Sequence, residues 1–145
     1  FLLSLLIIDG SDNADYFIYK FNISKKNQKR LKIIDQFYNK KITSTSFSEK
    51  NLNRLFYFNG KEALIDILSY RLFFQKKIDK KLLTLINLFN SKVLPTMPIS
   101  AKVLMEKYNI PEGKNLGNKL KTIEEEWINN NFQLSLKQIN KIINY

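Results

Sequence analysis

Apolar residues recur at spacings of three and four along nearly the whole chain, with polar residues filling the positions between. That period puts the apolar side chains on one face of a helix. Phe1–Ile8 reads as an apolar helix stopped by Asp9-Gly10, and Asp12 can cap a short helix over Asn13–Lys20. Ser24 can open a third from Lys25 to about Asn39, with Leu31, Ile34 and Tyr38 inward. Residues 40–47 are rich in Thr and Ser and read as a loop. Ser48 opens a fourth helix carrying Leu52, Leu55 and Phe56, and Asn59-Gly60 supplies its stop. A fifth spans Lys61 to about Gln75, with Ala63, Leu64, Ile67, Leu68 and Leu72 inward, and a sixth spans Asp79 to about Asn90. Pro95 and Pro98 bracket a linker, because proline cannot continue a helix. No stretch alternates at period two over a useful length. The pattern predicts an all-α fold: a helical body over 1–94, then a small helix–hairpin–helix-like unit over 95–145.

The second unit holds the segment PISAKVLMEKYNIPEGKNLGNKLKTIEEEW, Pro98 to Trp127. Ser100 can accept from the free N–H groups of a helix over Ala101–Lys107. Asn109 stands where a left-handed residue is wanted. Pro111-Glu112-Gly113 suits a tight turn. A long helix then starts near Asn115, with Leu116, Leu120, Ile123 and Trp127 as one apolar stripe. Trp127 on that stripe reads as core, and Glu124–Glu126 as an exposed helix face. Gly117, inside the helix, costs up to about 1 kcal/mol relative to alanine. Its missing side chain would admit a second helix or a phosphate backbone. A helix N-terminus presents N–H groups and the positive end of its dipole to an anion. Lys102, Lys114, Lys119 and Lys121 add charge around it, with Gly113, Asn115 and Gly117 as backbone contacts. A structural helical hairpin with solvated lysines fits the same pattern equally well.

The charge of the whole chain bears on its partners and leaves both alternatives open. The chain carries 24 Lys and Arg against 13 Asp and Glu, a net charge of +11. Such an excess suits a polyanionic partner, although AT-rich codon usage accounts for part of the lysine. Lys25, Lys26, Lys29 and Arg30 form a second basic face. Cysteine and histidine are absent. This removes thiolate chemistry, disulfides, the commonest general base and the commonest zinc ligand. The opening FLLSLLII is far short of the ~20 apolar residues that span a bilayer. It also lacks an initiator Met and the basic flank of a signal peptide. A cytoplasmic chain with no membrane partner, entered partway along a longer protein, is expected.

The Pro98–Trp127 segment resembles the C-terminal signature of bacterial tRNA nucleotidyltransferases, which include CCA-adding enzymes and related poly(A) polymerases. Lys102, Leu104, Pro111, Gly113, Leu116, Gly117, Leu120, Glu124 and Trp127 match that pattern. Ala101 and Asn109 stand where the family has glycine, and Val103 where it has an acid. Upstream, Asn22–Leu31 and Asn51–Phe56 are similar to two of the family's basic helical stretches. The resemblance implies a division of labour. A head with a glycine-serine loop and paired aspartates holds metal ions, a neck reads CTP or ATP, and helical body and tail regions hold the tRNA.

No such glycine-serine loop, D-x-D or E-D-x-x-R is found in residues 1–145. Two-metal phosphoryl transfer needs clustered carboxylates. The resemblance therefore implies a body and tail that bind tRNA, with no catalytic residue or cofactor of their own. Mg²⁺ and CTP or ATP would belong to a separate catalytic head and neck. A truncated chain, a split-gene product and a decaying fragment are all compatible with this. The contacts expected are Lys102, Gly113, Lys114, Asn115, Gly117, Lys119 and Lys121, with Lys26 and Arg30 on the secondary face. The rival expectation is a helical module that docks on another protein without binding RNA. Its apolar surface would be built from FLLSLLII and Leu72-Phe73-Phe74.

Overall fold

The computed structural model describes Ser4, Leu5, Ile8 and residues 13–144. Among these residues the chain is all-α, with no strand. The helices are α1 (Asn13–Lys20), α2 (Lys25–Tyr38), α3 (Glu49–Phe73), α4 (Lys80–Ser91), α5 (Ala101–Tyr108), α6 (Lys114–Asn129) and α7 (Leu136–Ile143). A short 3-10 turn, Ser44–Phe47, precedes α3. The expected helix over Phe1–Ile8, its Asp9-Gly10 stop and the Asp12 cap fall outside the described residues, apart from Ser4, Leu5 and Ile8. The chain forms two compact units, 1–94 and 95–145.

In the first unit, Ile34 of α2 packs with Ile67 and Tyr70 of α3 and with Ile8. Ala14 of α1 meets Leu31 of α2. Phe56 of α3 lies against Phe89 of α4, with ring centroids 5.3 Å apart. Each fully buried side chain of this size contributes about 1.5–3 kcal/mol. Of these, Leu31, Ile34, Phe56 and Ile67 are the ones that the three-and-four spacing places inward.

Gly60 breaks α3 from within. Its φ of 83° and ψ of 168° are not helical, yet helix continues on both sides. The expected stop at Asn59-Gly60 is therefore a kink between two halves packed end to end. Glycine is needed there because φ is positive and a side chain would clash with its own backbone. Leu52 and Phe56 bury the first half, while Ala63, Leu64 and Ile67 bury the second.

Caps define most of the ends. The Ser48 hydroxyl accepts from Asn51 N–H at 3.4 Å. The Asp79 carboxylate accepts from Lys81 N–H at 2.8 Å and Leu82 N–H at 3.3 Å, so α4 starts one residue later than expected. Lys61 donates from Nζ to the Asn90 carbonyl at 2.8 Å, at the end of α4. Ser24 occupies the cap position of α2 but makes no side-chain cap bond. Gln28 donates from Nε2 to the Ile23 carbonyl at 2.6 Å. The predicted 40–47 loop tightens into its 3-10 turn through Thr43 N–H donating to the Ser46 hydroxyl at 3.0 Å.

The second unit has its own core of Leu104, Ile110, Leu116 and Ile123. Trp127 is 2% exposed and meets Phe132 edge-on at 5.0 Å. Helix α7 was not anticipated by the apolar spacing. It begins with a reciprocal cap: Gln138 N–H donates to the Ser135 hydroxyl at 3.3 Å, and Ser135 N–H donates to Gln138 Oε1 at 3.0 Å.

Candidate nucleic-acid interface

The expected site is built where α5 gives way to α6. The Ser100 hydroxyl accepts from Val103 N–H at 3.3 Å and starts α5. Asn109 ends it in the left-handed region, φ 52° and ψ 33°. Ile110 then turns back into the core, donating its N–H to the Leu104 carbonyl at 3.4 Å. Pro111 and Glu112 are exposed.

Gly113 follows with φ 147° and ψ −170°, a conformation essentially reserved for glycine. It occupies the cap position of α6 and accepts Gly117 N–H on its carbonyl at 3.2 Å. Having no side chain, it cannot cap the helix, and the first turn of α6 contains no acid. Lys114 is the first helical residue, so a positive charge sits at the positive end of the dipole. This is an unfavourable pairing unless an anion joins it. The nearest acid in sequence is the exposed Glu112.

Along α6 the helical rotation sorts the expected contacts into different faces. Lys114, Gly117 and Lys121 share an exposed face that flanks the Leu116, Leu120, Ile123 and Trp127 stripe. A Cβ added at Gly117 would meet nothing within 4 Å. The close approach of a second helix is therefore not the reason for this glycine; the surface there is open.

Lys119 points elsewhere. Its Nζ donates to the Ile143 carbonyl at 2.6 Å and the Ile142 carbonyl at 3.3 Å, closing the C-terminal end of α7. A cation is favourable at that negative end. Asn115 faces the same side as Lys119, over a groove of about 560 Å³ between α6 and α7 that Gln138 and Lys141 complete. Lys102 is exposed on α5, with its Nζ 3.8 Å from Glu106 one turn on. A pair this open to water is worth little.

Lys26 and Arg30 belong to the first unit, and both are engaged. Lys26 Nζ donates to Glu62 Oε1 at 2.8 Å. Arg30 grips Asp66 with two bonds, Nε to Oδ2 at 2.7 Å and Nη2 to Oδ1 at 2.8 Å. Its Nη1 lies 3.3 Å from Glu62. The hydrogen bond with Asp66 raises the guanidinium's pKa above its ordinary value. The hydrogen bond from Lys26 lowers that of the Glu62 carboxyl. The basic face expected at Lys25, Lys26, Lys29 and Arg30 thus gives two of its four cations to α3, while Lys25 and Lys29 stay exposed.

Among the described residues, no group of three or more Asp or Glu could hold a metal ion, and no helix is long and apolar enough to cross a membrane. Sequence reasoning missed the anchoring role of Lys119, since its partners are main-chain carbonyls more than twenty residues away. It also missed the groove beside α7, although the Ser135-x-x-Gln138 spacing was a readable sign of the helix that forms it. Comparison of the chain with protein-family models, curated proteins and solved structures returned no match.

Proposed function

We propose that the chain grips RNA by its phosphate backbone. On this reading it is the tRNA-binding body and tail of a CCA-adding type of nucleotidyltransferase, placing the RNA 3′ end for a catalytic head carried elsewhere. The small unit would act as a helix–hairpin–helix-like clamp. The observation that carries the reading is the start of α6. It has a side-chain-free cap at Gly113, no acid in the first turn, and an exposed face of Lys114, Gly117 and Lys121. An anion at that position would satisfy both the backbone N–H groups and the lysines.

Phosphate contacts of this kind fix register without reading sequence. They also release counterions, so affinity falls steeply with salt. Titration of tRNA against the purified chain at several salt concentrations tests the reading. The expected slope is about 0.7–0.9 log units per phosphate contact. Absence of tRNA binding even at low salt overturns it. Recovery of CTP or ATP incorporation on mixing with a head-bearing polypeptide would support the placement within a nucleotidyltransferase.

A further inference from the structure

In the first unit, a different surface joins aromatic rings to unpaired lysines. Phe73 and Phe74, at the end of α3, are each 60% exposed, and Ile78 just beyond is 78% exposed. The rings are held in place. Phe74 lies 4.8 Å from the buried Tyr70, and Phe73 meets Phe74 edge-on at 5.3 Å. Tyr70 in turn lies 4.5 Å from Tyr38.

A recess of about 350 Å³ opens beside Phe74, lined by Tyr38, Tyr70, Arg71 and Gln75. Both phenols are spent internally. Tyr38 donates to the Ile67 carbonyl and Tyr70 to the Ile8 carbonyl, each at 2.7 Å. The recess therefore offers ring surface and leaves Gln75 as a neutral hydrogen-bonding group at its edge. Arg71 is drawn over Phe47, 4.1 Å from the ring centroid.

Lys76, Lys77, Lys80 and Lys81 follow within the same turn of chain and are exposed, and none takes part in an ion pair among the described residues. The single acid among them, Asp79, spends its carboxylate on the first turn of α4. A purely apolar partner would leave four cations uncompensated around the contact. Aromatic faces bordered by free lysines are what an unpaired nucleotide strand needs, with bases on the rings and phosphates on the ammonium groups.

We infer that the Phe73–Phe74 surface, its recess and the lysines at 76, 77, 80 and 81 bind unpaired RNA by base stacking. The choice of RNA as the strand rests on the reading above; the side chains are different ones, in the other unit. A base entering the recess would stack on Phe74 and present its edge to Gln75.

The test uses a fluorescein-labelled eight-nucleotide single-stranded RNA and a blunt duplex of equal length, both titrated with the full chain at low salt. Phe73→Ala and Phe74→Ala should each weaken the single strand by about tenfold and leave the duplex unchanged. Phe74→Leu keeps apolar bulk without a ring and should lose as much. Phe74→Trp should keep affinity, with its new emission quenched on adding the single strand. Thermal melts of the same variants separate binding loss from unfolding, and the tryptophan variant reports stacking even if an alanine variant melts early. The inference fails if Phe74→Leu binds like the native chain, or if single strand and duplex weaken equally. It also fails if the rings prove to drive only concentration-dependent self-association. tRNA binding that depends on Lys114 and Lys121 but not on Phe73 and Phe74 would remove this site and leave the backbone clamp standing. The reverse dependence would remove the clamp and leave this site.

Discussion

Arg30 and Asp66 meet through two parallel bonds of 2.7 and 2.8 Å, joining α2 to the second half of α3. The carboxylate is only 3% exposed and the guanidinium half-buried. Fork-to-carboxylate pairing of this kind is geometrically specific, and lysine cannot reproduce it.

Removing the guanidinium takes from a buried carboxylate the partner that meets it with two bonds. Arg30→Ala should therefore destabilise the first unit by about 3 kcal/mol. Replacing both partners by leucine should cost less than the single change, because no buried charge remains. Urea denaturation of Arg30→Ala, Asp66→Leu and the double Arg30→Leu/Asp66→Leu variant measures this. Equal losses in all three would contradict the assignment.

The two glycines of the second unit should behave oppositely. Gly113→Ala forces an L-residue into a glycine-only region and should cost about 1–3 kcal/mol. Gly117→Ala meets open space in a helix and should stabilise by up to about 1 kcal/mol. If a phosphate backbone lies against Gly117, the same change weakens tRNA binding while raising the melting temperature. A gain in both would remove Gly117 from the interface.

The α6 lysines should separate by role. Lys121→Ala should leave stability unchanged and reduce the salt slope of tRNA binding by about one contact. Lys119→Ala releases the end of α7 and should cost about 1 kcal/mol. Hydrogen exchange should then quicken at the amides of Leu136–Ile143. The pair of variants, compared by exchange and by tRNA titration, checks both statements.

Burial raises the Tyr38 phenol well above its ordinary value. The folded chain therefore holds this proton more tightly than the unfolded chain does. Its contribution is complete below about pH 10, where unfolded tyrosine is neutral. It is lost as pH rises beyond that and the unfolded phenol ionises. Tyr38→Phe should flatten the alkaline limb of a stability-against-pH curve. It should also cost about 1 kcal/mol at neutral pH through the lost bond to the Ile67 carbonyl.

Local signals were legible in the sequence. Ser48 and Ser100 cap helices as their positions suggest, Asn109 adopts the left-handed turn, and Trp127 is core. These follow from short-range chemistry and one period. What could not be read depends on partners far along the chain. Nothing near Lys119 announces that its ammonium will close α7, and nothing near Lys26 or Arg30 announces Glu62 and Asp66. A lysine-rich face looks alike on paper whether its charges are spent or free. The helix, turn and helix of Pro98–Trp127 were legible, while the division of its lysines into Lys114 and Lys121 outward and Lys119 inward required the fold. Ser24 takes the cap position without a side-chain cap bond, and Gln28 ties down the preceding carbonyl.

The break at Gly60 has a bearing on how this protein tolerates change in length. A residue inserted inside a continuous helix turns everything beyond it by about 100° and moves it along by about 1.5 Å, exchanging inward for outward positions. At Gly60 the backbone already abandons that progression, so the phase of the second half is not inherited from the first. Phe56 can keep its place against Phe89, and Ile67 its place against Ile34, without a common rotational register. An added residue at this joint should be absorbed locally. The same addition at residue 54 or residue 66 would scramble one of the two seams.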